Sequence, residues 1–192
     1  AAIQKQAITK QADLHVLTNV PKAANLPFLP LFQQRNFGLA LQAMQYVAER
    51  DGLDLSASRI RQAAQTSILG RMEEYYSHDK TIILDVAHNP QKFGSLLASV
   101  RAKYATQDIA VLVRLPSGSR TSKRSQAIVQ LLQRNVQYVH IVDSADDPLQ
   151  AFNEVMQRAE PVVIVASFYL LNYIRPVVRA AYGADLKPVT RV

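Results

Sequence analysis

The sequence predicts an α/β fold, a mostly parallel sheet with helices on both faces, preceded by a mainly helical stretch. Three observations lead there. From residue 81 onward, short β-branched or apolar runs alternate with helical patterns. Those helical patterns are long enough to serve as right-handed crossovers between parallel strands. Residues 1–68 show no such alternation and read as helices and connector.

Taken in chain order, "NVPKAANLPFLPLF" (Asn19 to Phe32) carries three prolines and reads as an extended connector. "RNFGLALQAMQYVAER" (Arg35 to Arg50) puts Phe37, Ala40, Leu41, Met44, Val47 and Ala48 on one helical face. "SASRIRQAAQ" (Ser56 to Gln65) starts a further helix, with Ser56 as its cap. Two helices and a connector do not enclose a core, so residues 1–68 are expected to be an incomplete domain, the tail of a preceding one. Residues 69–192 form the second domain. Its strands are expected at 81–85, 109–113, 137–141 and 161–166, and its helices at 90–104, 122–134, 146–159 and 168–181. Asp147 before Pro148 is an N-cap followed by proline at the first helical position. The result is a Rossmann-like layering of helix, sheet and helix.

Composition narrows the function. The chain has 192 residues, 48% of them apolar, which supports a buried core and argues against wholesale disorder. Cysteine is absent, so disulfides, zinc–thiolate sites and thiol nucleophiles are excluded, and a reducing, cytoplasmic setting is expected. No apolar stretch approaches the roughly 20 residues of a membrane span. The formal net charge of +7 favours polyanionic partners or substrates. Only "SGSRTSKRS" (Ser117 to Ser125) concentrates the basic residues, and it reads first as a solvated loop. No aromatics interleave with it, so no nucleic-acid partner is expected. Gly is only six in number and no G-x-G-x-x-G follows a strand, which disfavours a dinucleotide binder.

The chemistry concentrates in "TIILDVAHNPQKFGSLL" (Thr81 to Leu97), where an apolar run ends in Asp85, His88, Asn89 and Pro90 and a helix begins. Ligands of open parallel sheets collect outside the carboxyl ends of strands, beside helix N-termini that favour anions. Asp85 can hold a ribose hydroxyl there, and His88 can meet a carboxylate or phosphate. The plainer alternative is that Asp85 and Asn89 only cap the turn. His15, His78 and His140 have no metal-ligand spacing and read as structural or exposed.

"LDVAHNP" (Leu84 to Pro90) resembles the D-(G/V)-A-H-N-P signature of folylpolyglutamate and dihydrofolate synthases, members of the Mur ligase superfamily. Other segments match in order. "GRMEEY" (Gly70 to Tyr75) is similar to GR-(L/M)-E, "VIVASFYLLNYIRPVVR" (Val163 to Arg179) to the final strand and helix with G-S-(L/F)-Y, and "LFQQRNFGLALQAM" (Leu31 to Met44) to H-Q-x-x-N-A-x-x-A. The resemblance runs from about Pro27 to Arg179. It implies a Mur ligase C-terminal (glutamate-ligase) domain preceded by the tail of the central, ATP-binding domain. It also implies an ATP-dependent ligase that adds L-glutamate to a folate or dihydropteroate carboxylate through an acyl phosphate. ATP and Mg2+ are the implied cofactors, with the metal held by central-domain residues, and the chain is expected to act as a monomer.

Carried over residue by residue, the resemblance places Asn36 at the adenine and Arg71 at the ATP phosphates. It places Asp85 at the ribose or nucleotide, His88 near the incoming glutamate and the transferring phosphate, and Ser167 on the glutamate carboxylate. His88 and Arg71 are the catalytic candidates. Arg71 could instead pair with Glu73 or Glu74, and Ser167 could simply cap the last helix. The chain departs from the family at several points. It has no G-x-x-x-x-G-K-(S/T), so it is expected to begin inside the central domain and to be inactive alone. After Val113 it lacks the family's D-K-D, for which Arg120 or Lys123 could substitute. Phe32 and Ala166 replace a His and a Gly. A degenerate domain that binds nucleotide or other polyanions without catalysis, and a cell-wall Mur ligase, are the alternatives.

Overall fold

The computed structural model describes residues 2–16, 29–66, 68–77, 79–115 and 122–183. The chain divides into two compact units, Ala1–Pro27 with Gln33–Ala64, and Phe28–Phe32 with Gln65–Val192.

The first unit carries α1 (Ala2–Thr9), most of α2 (Leu31–Asp51) and α3 (Ala57–Ala64). Helix α1 is an element the sequence pattern did not announce. It buries none of its residues, so its apolar positions have no period to detect, and Ala, Gln and Lys sustain it by propensity. Helix α2 begins right after Pro30, four residues ahead of the expected start. Only Gly38 and Ala48 of it are buried, while Ala40 and Met44, assigned to the apolar face, are exposed. Gly52, at φ +66°, ends the helix in a left-handed turn in which Leu53 N–H donates to the Ala48 carbonyl at 2.9 Å.

The second unit is built on a five-stranded sheet: β1 (Glu73–Tyr76), β2 (Thr81–Asp85), β3 (Ile109–Val113), β4 (Tyr138–Ile141) and β5 (Val162–Ala166), in the order β1-β2-β5-β3-β4. The four expected strands are parallel to one another, within a residue of the expected bounds. Strand β1 was not expected. Its "EEYY" carries two acids and lacks an apolar run, and it is strand only because it pairs antiparallel with β2 at the sheet edge.

Four helices follow the parallel strands: α4 (Pro90–Tyr104), α5 (Lys123–Asn135), α6 (Pro148–Met156) and α7 (Phe168–Tyr182). Their caps are local and legible. Asn89 accepts from Lys92 N–H at 2.8 Å, Asp147 from Leu149 N–H at 2.8 Å, and Ser122 from Ser125 N–H at 3.1 Å. The chain passes from β2 over the slot of β5 to β3, on to β4, then back to β5. Right-handed crossovers therefore put α4 and α5 on one face and α6 and α7 on the other.

Alternation along the strands feeds both layers. Ile83, Val111 and Ile164 pack on Phe93, Leu96, Ile128 and Leu132. Ile82, Leu84, Leu112, Val163 and Val165 pack on Phe152, Val155, Leu170 and Ile174. Each fully buried side chain of this size contributes roughly 1.5–3 kcal/mol. What matters for function is the place of β5: its helix leaves to one face, those of its neighbours β2 and β3 to the other. The loops separate there and leave a switch point at the carboxyl rim.

Candidate functional site

Asp85 ends β2 in register with Ala166 of β5, and Ser167 N–H donates to the Asp85 carbonyl at 3.2 Å. Two of the expected site residues thus meet across the switch point. The Asp85 carboxylate is buried, and both of its oxygens are engaged by the backbone. Met72 N–H donates to Oδ2 at 2.9 Å and Ala87 N–H to Oδ1 at 2.8 Å. Burial pushes its pKa above the ordinary value, opposed by these two donors and by the charges of Arg71 and Lys92. The residue expected at the ribose or nucleotide is thus a carboxylate already engaged by its own backbone. A carboxylate out of water must satisfy its oxygens, and this one does so on its own chain. It works as a clasp that ties the turn before β1 to the rim, closer to the capping alternative.

That turn carries Arg71. Gly70 adopts φ +70°, its carbonyl accepts from Val86 N–H at 2.9 Å, and a Cβ there would sit 2.7 Å from Val86 Cγ1. Only glycine fits so close a left-handed turn. Arg71 follows directly, half-buried, with its cation acting on Asp85. The acids expected as its alternative partners have other bonds. Glu73 accepts from Gly70 N–H at 3.0 Å, Tyr75 O–H at 2.5 Å and Arg175 Nε at 3.1 Å, and pairs with Arg179 at 3.4 Å. Glu74 pairs with Lys103 at 2.5 Å. Burial alone would raise Glu73, but Tyr75, Gly70 and Arg175 outweigh it and draw its pKa below the ordinary range.

His88 lies in the loop that opens α4, half-buried. Its Nδ1 is 2.8 Å from the Val86 carbonyl and its Nε2 is 3.4 Å from Lys92 Nζ. Arg124 of α5 donates to the His88 carbonyl at 3.1 Å. Ser167 caps α7, its hydroxyl accepting from Leu170 N–H at a long 3.5 Å, with the residue itself at φ 116° and ψ 150°. That backbone region is essentially reserved for glycine, and strain of this kind collects at functional sites. Beside it, the Arg114 guanidinium stacks 3.7 Å from the centre of the Tyr169 ring.

The rim therefore gathers Arg71, Asp85, His88 and Ser167, joined by Arg124 from the basic cluster and by two cations that sequence reasoning missed, Lys92 and Arg114. Lys92 sits on a helix face where a basic residue carries no signal until its neighbours are known. Asn36 lies in the other compact unit, exposed on α2. Arg120 and residues 116–121 of the basic loop lie outside the described residues, and Lys123 is exposed at the first position of α5. His15 stacks against Tyr46, His140 is 3.9 Å from Glu154, and His78 lies outside the described residues. Among the described residues no cluster of three or more His, Asp or Glu side chains could hold a metal, and no helix is long and apolar enough to cross a membrane.

A family model for the Mur ligase glutamate ligase domain matches residues 70–179, more than half the chain and the whole of this rim. The chain belongs to the Mur ligase family. Folylpolyglutamate synthase of Lacticaseibacillus casei is 25% identical over 174 residues, covering 78% of this Mur ligase chain and 39% of the relative. Among solved structures, an FPGS–AMPPCP–folate complex superposes with a TM-score of 0.62 at 24% identity, over 78% of this chain and 37% of that one. Escherichia coli FolC in complex with DHPP and ADP superposes with a TM-score of 0.51 at 25% identity, over 86% and 42%. The chain thus spans about two fifths of the length of these Mur ligase relatives.

Proposed function

We propose that this chain is the C-terminal, glutamate-ligase part of an ATP-dependent amide ligase that adds L-glutamate to a folate or dihydropteroate carboxylate through an acyl phosphate. Residues 1–68 would be the tail of the central, ATP-binding domain and 69–192 the ligase domain. The observation that carries the reading is the cationic switch-point rim, where Arg71, Lys92 and Arg124 surround a loop whose one acid, Asp85, is already engaged by backbone N–H groups. Such a rim suits substrates rich in phosphate and carboxylate oxygens. The likeness to folylpolyglutamate synthase and FolC supports the choice among them.

In this reading Arg71 reaches the ATP phosphates, where a delocalised cation matches charge spread over phosphoryl oxygens. Ser167 takes the glutamate carboxylate with hydroxyl and backbone, His88 lies beside the incoming amine and the transferring phosphate, and Asn36 contacts the adenine. Asp85 orients the nucleotide indirectly, by fixing the turn that presents Arg71. Magnesium neutralises phosphate charge in such reactions, and it would be held by residues outside those described here. A reducing, cytoplasmic location and a monomeric state belong to the same proposal.

The test is glutamate ligation by the ligation-competent protein that contains this chain. Arg71→Ala and His88→Ala should each lower turnover on the order of a hundredfold, the first as a lost transition-state donor and the second as a lost proton-transfer group. Near-normal turnover in both variants defeats the assignment. The 192-residue chain alone should hydrolyse no ATP, and robust hydrolysis would show that the phosphate cradle has been misplaced.

A further inference from the structure

The contacts of His88 fix more than its position. A carbonyl oxygen only accepts, so Nδ1, at 2.8 Å from Val86 O, carries the ring proton. An ammonium only donates, so Nε2, facing Lys92 Nζ at 3.4 Å, offers its lone pair. One species satisfies both contacts: the neutral Nδ1–H imidazole with Nε2 bare. The other charged groups around it agree. Arg124 from α5 holds the His88 carbonyl, and Asp85 accepts from Met72 and Ala87 N–H groups rather than from the ring. A second hydrogen on the ring, at Nε2, would face the Lys92 ammonium. A histidine in this state is a poor anion donor and a good proton acceptor.

We propose that Lys92 is a positioning residue that keeps His88 in the Nδ1–H tautomer, and that His88 Nε2 is the proton acceptor for the amine joined at this site. The proposal rests on the amide-ligase reading above and deepens it. The ammonium of the incoming amino acid passes one proton to Nε2, leaving an imidazolium and a free amine. The amine lone pair forms the C–N bond at the acyl-phosphate carbon. The C–O bond to phosphate then breaks, and phosphate leaves with that electron pair and the second N–H proton. Lys92, displaced from Nε2, is free to meet the carboxylate of the same amino acid. The 3.4 Å contact is long enough to be exchanged readily.

Two measurements test the two halves separately. Long-range proton–nitrogen spectra of the 15N-labelled 192-residue chain, assigned with His88→Gln, should show the Nδ1–H pattern. Lys92→Met should move the Nε2 resonance toward that of an acceptor without a donor, leave Nδ1 unchanged, and be reversed in Lys92→Arg. An Nε2–H pattern, or an Nε2 resonance indifferent to Lys92→Met, overturns the tautomer assignment whether or not the protein is a ligase. In the ligation-competent protein, His88→Gln should lower kcat at least tenfold and leave KM for glutamate within twofold, with a smaller kcat loss in Lys92→Met that Lys92→Arg restores. A raised KM with kcat kept would make His88 a substrate anchor and overturn its proton-accepting role. Absence of ligation by the unsubstituted protein would defeat the ligase reading, and with it that role, while the spectra still decide the tautomer.

Discussion

Asp85 is the residue whose removal should tell most about the rim. Its two carboxylate oxygens each satisfy a different buried backbone donor, Met72 N–H at 2.9 Å and Ala87 N–H at 2.8 Å, and the residue is 3% exposed. Asp85→Ala orphans both donors at roughly 1–3 kcal/mol each, offset by no longer holding a carboxylate out of water, so a net loss of about 3 kcal/mol is expected. Asp85→Asn keeps the volume but has only one oxygen. One donor then faces the amide NH2, at a cost of about 1–3 kcal/mol. Urea unfolding followed by circular dichroism measures both. With a slope of about 1–3 kcal/mol per molar, the alanine variant should unfold at roughly 1–3 M less urea. Amide exchange at Met72 and Ala87 should quicken in both variants, which distinguishes a lost clasp from a general loosening. Stabilities within about 0.5 kcal/mol of the parent, with both amides still protected, would refute the clasp.

Three further outcomes follow from neighbouring residues. Glu73 has a lowered pKa in the fold, so its stabilising contribution is complete above the ordinary glutamate value of 4.5 and is lost as pH falls through the lower folded value. Urea midpoints measured between about pH 7 and pH 3 should lose part of this acid slope in Glu73→Gln, and an unchanged slope refutes the assignment. Asp85 contributes with the opposite sign, its pKa being raised, so its share of stability declines as pH rises above 3.8. Gly70→Ala meets a left-handed backbone and a Cβ only 2.7 Å from Val86 Cγ1. A loss of about 2–4 kcal/mol in the same assay is expected, and a neutral result would mean the turn is built differently. Ser167→Gly removes strain of roughly 1–3 kcal/mol and costs only a few tenths at the cap, so it should stabilise the chain by about 1 kcal/mol. Destabilisation by that amount refutes the strain argument.

Much of the second unit was legible because its signals are local. Asn89 before Pro90 and Asp147 before Pro148 mark helix starts whatever surrounds them, and the apolar runs at Ile82–Leu84 and Val162–Ala166 read as buried strands. The rim was legible for a related reason: Asp85 and His88 stand where a strand must stop, and Ser167 stands at the next such stop. The first unit was less so. Helix α1 buries nothing, and α2 buries only Gly38 and Ala48, so the period of apolar residues did not mark them clearly. Strand β1 escaped because a charged edge strand takes its conformation from its neighbour.

By itself, the sequence determined which segments are strands and helices in residues 81–182, where their caps lie, and which residues stand at the strand ends. Periodicity and capping act over a few residues and need no partner. Only the tertiary structure decided that β5 enters between β2 and β3, since strand order depends on which apolar faces bury each other. That insertion brings Ser167 onto the Asp85 carbonyl and separates the helices that follow. It also decided that Asp85 binds its own backbone and that Lys92 faces His88. Hydrogen-bonding groups brought out of water take the nearest partner, and which partner is nearest is a property of the packed chain.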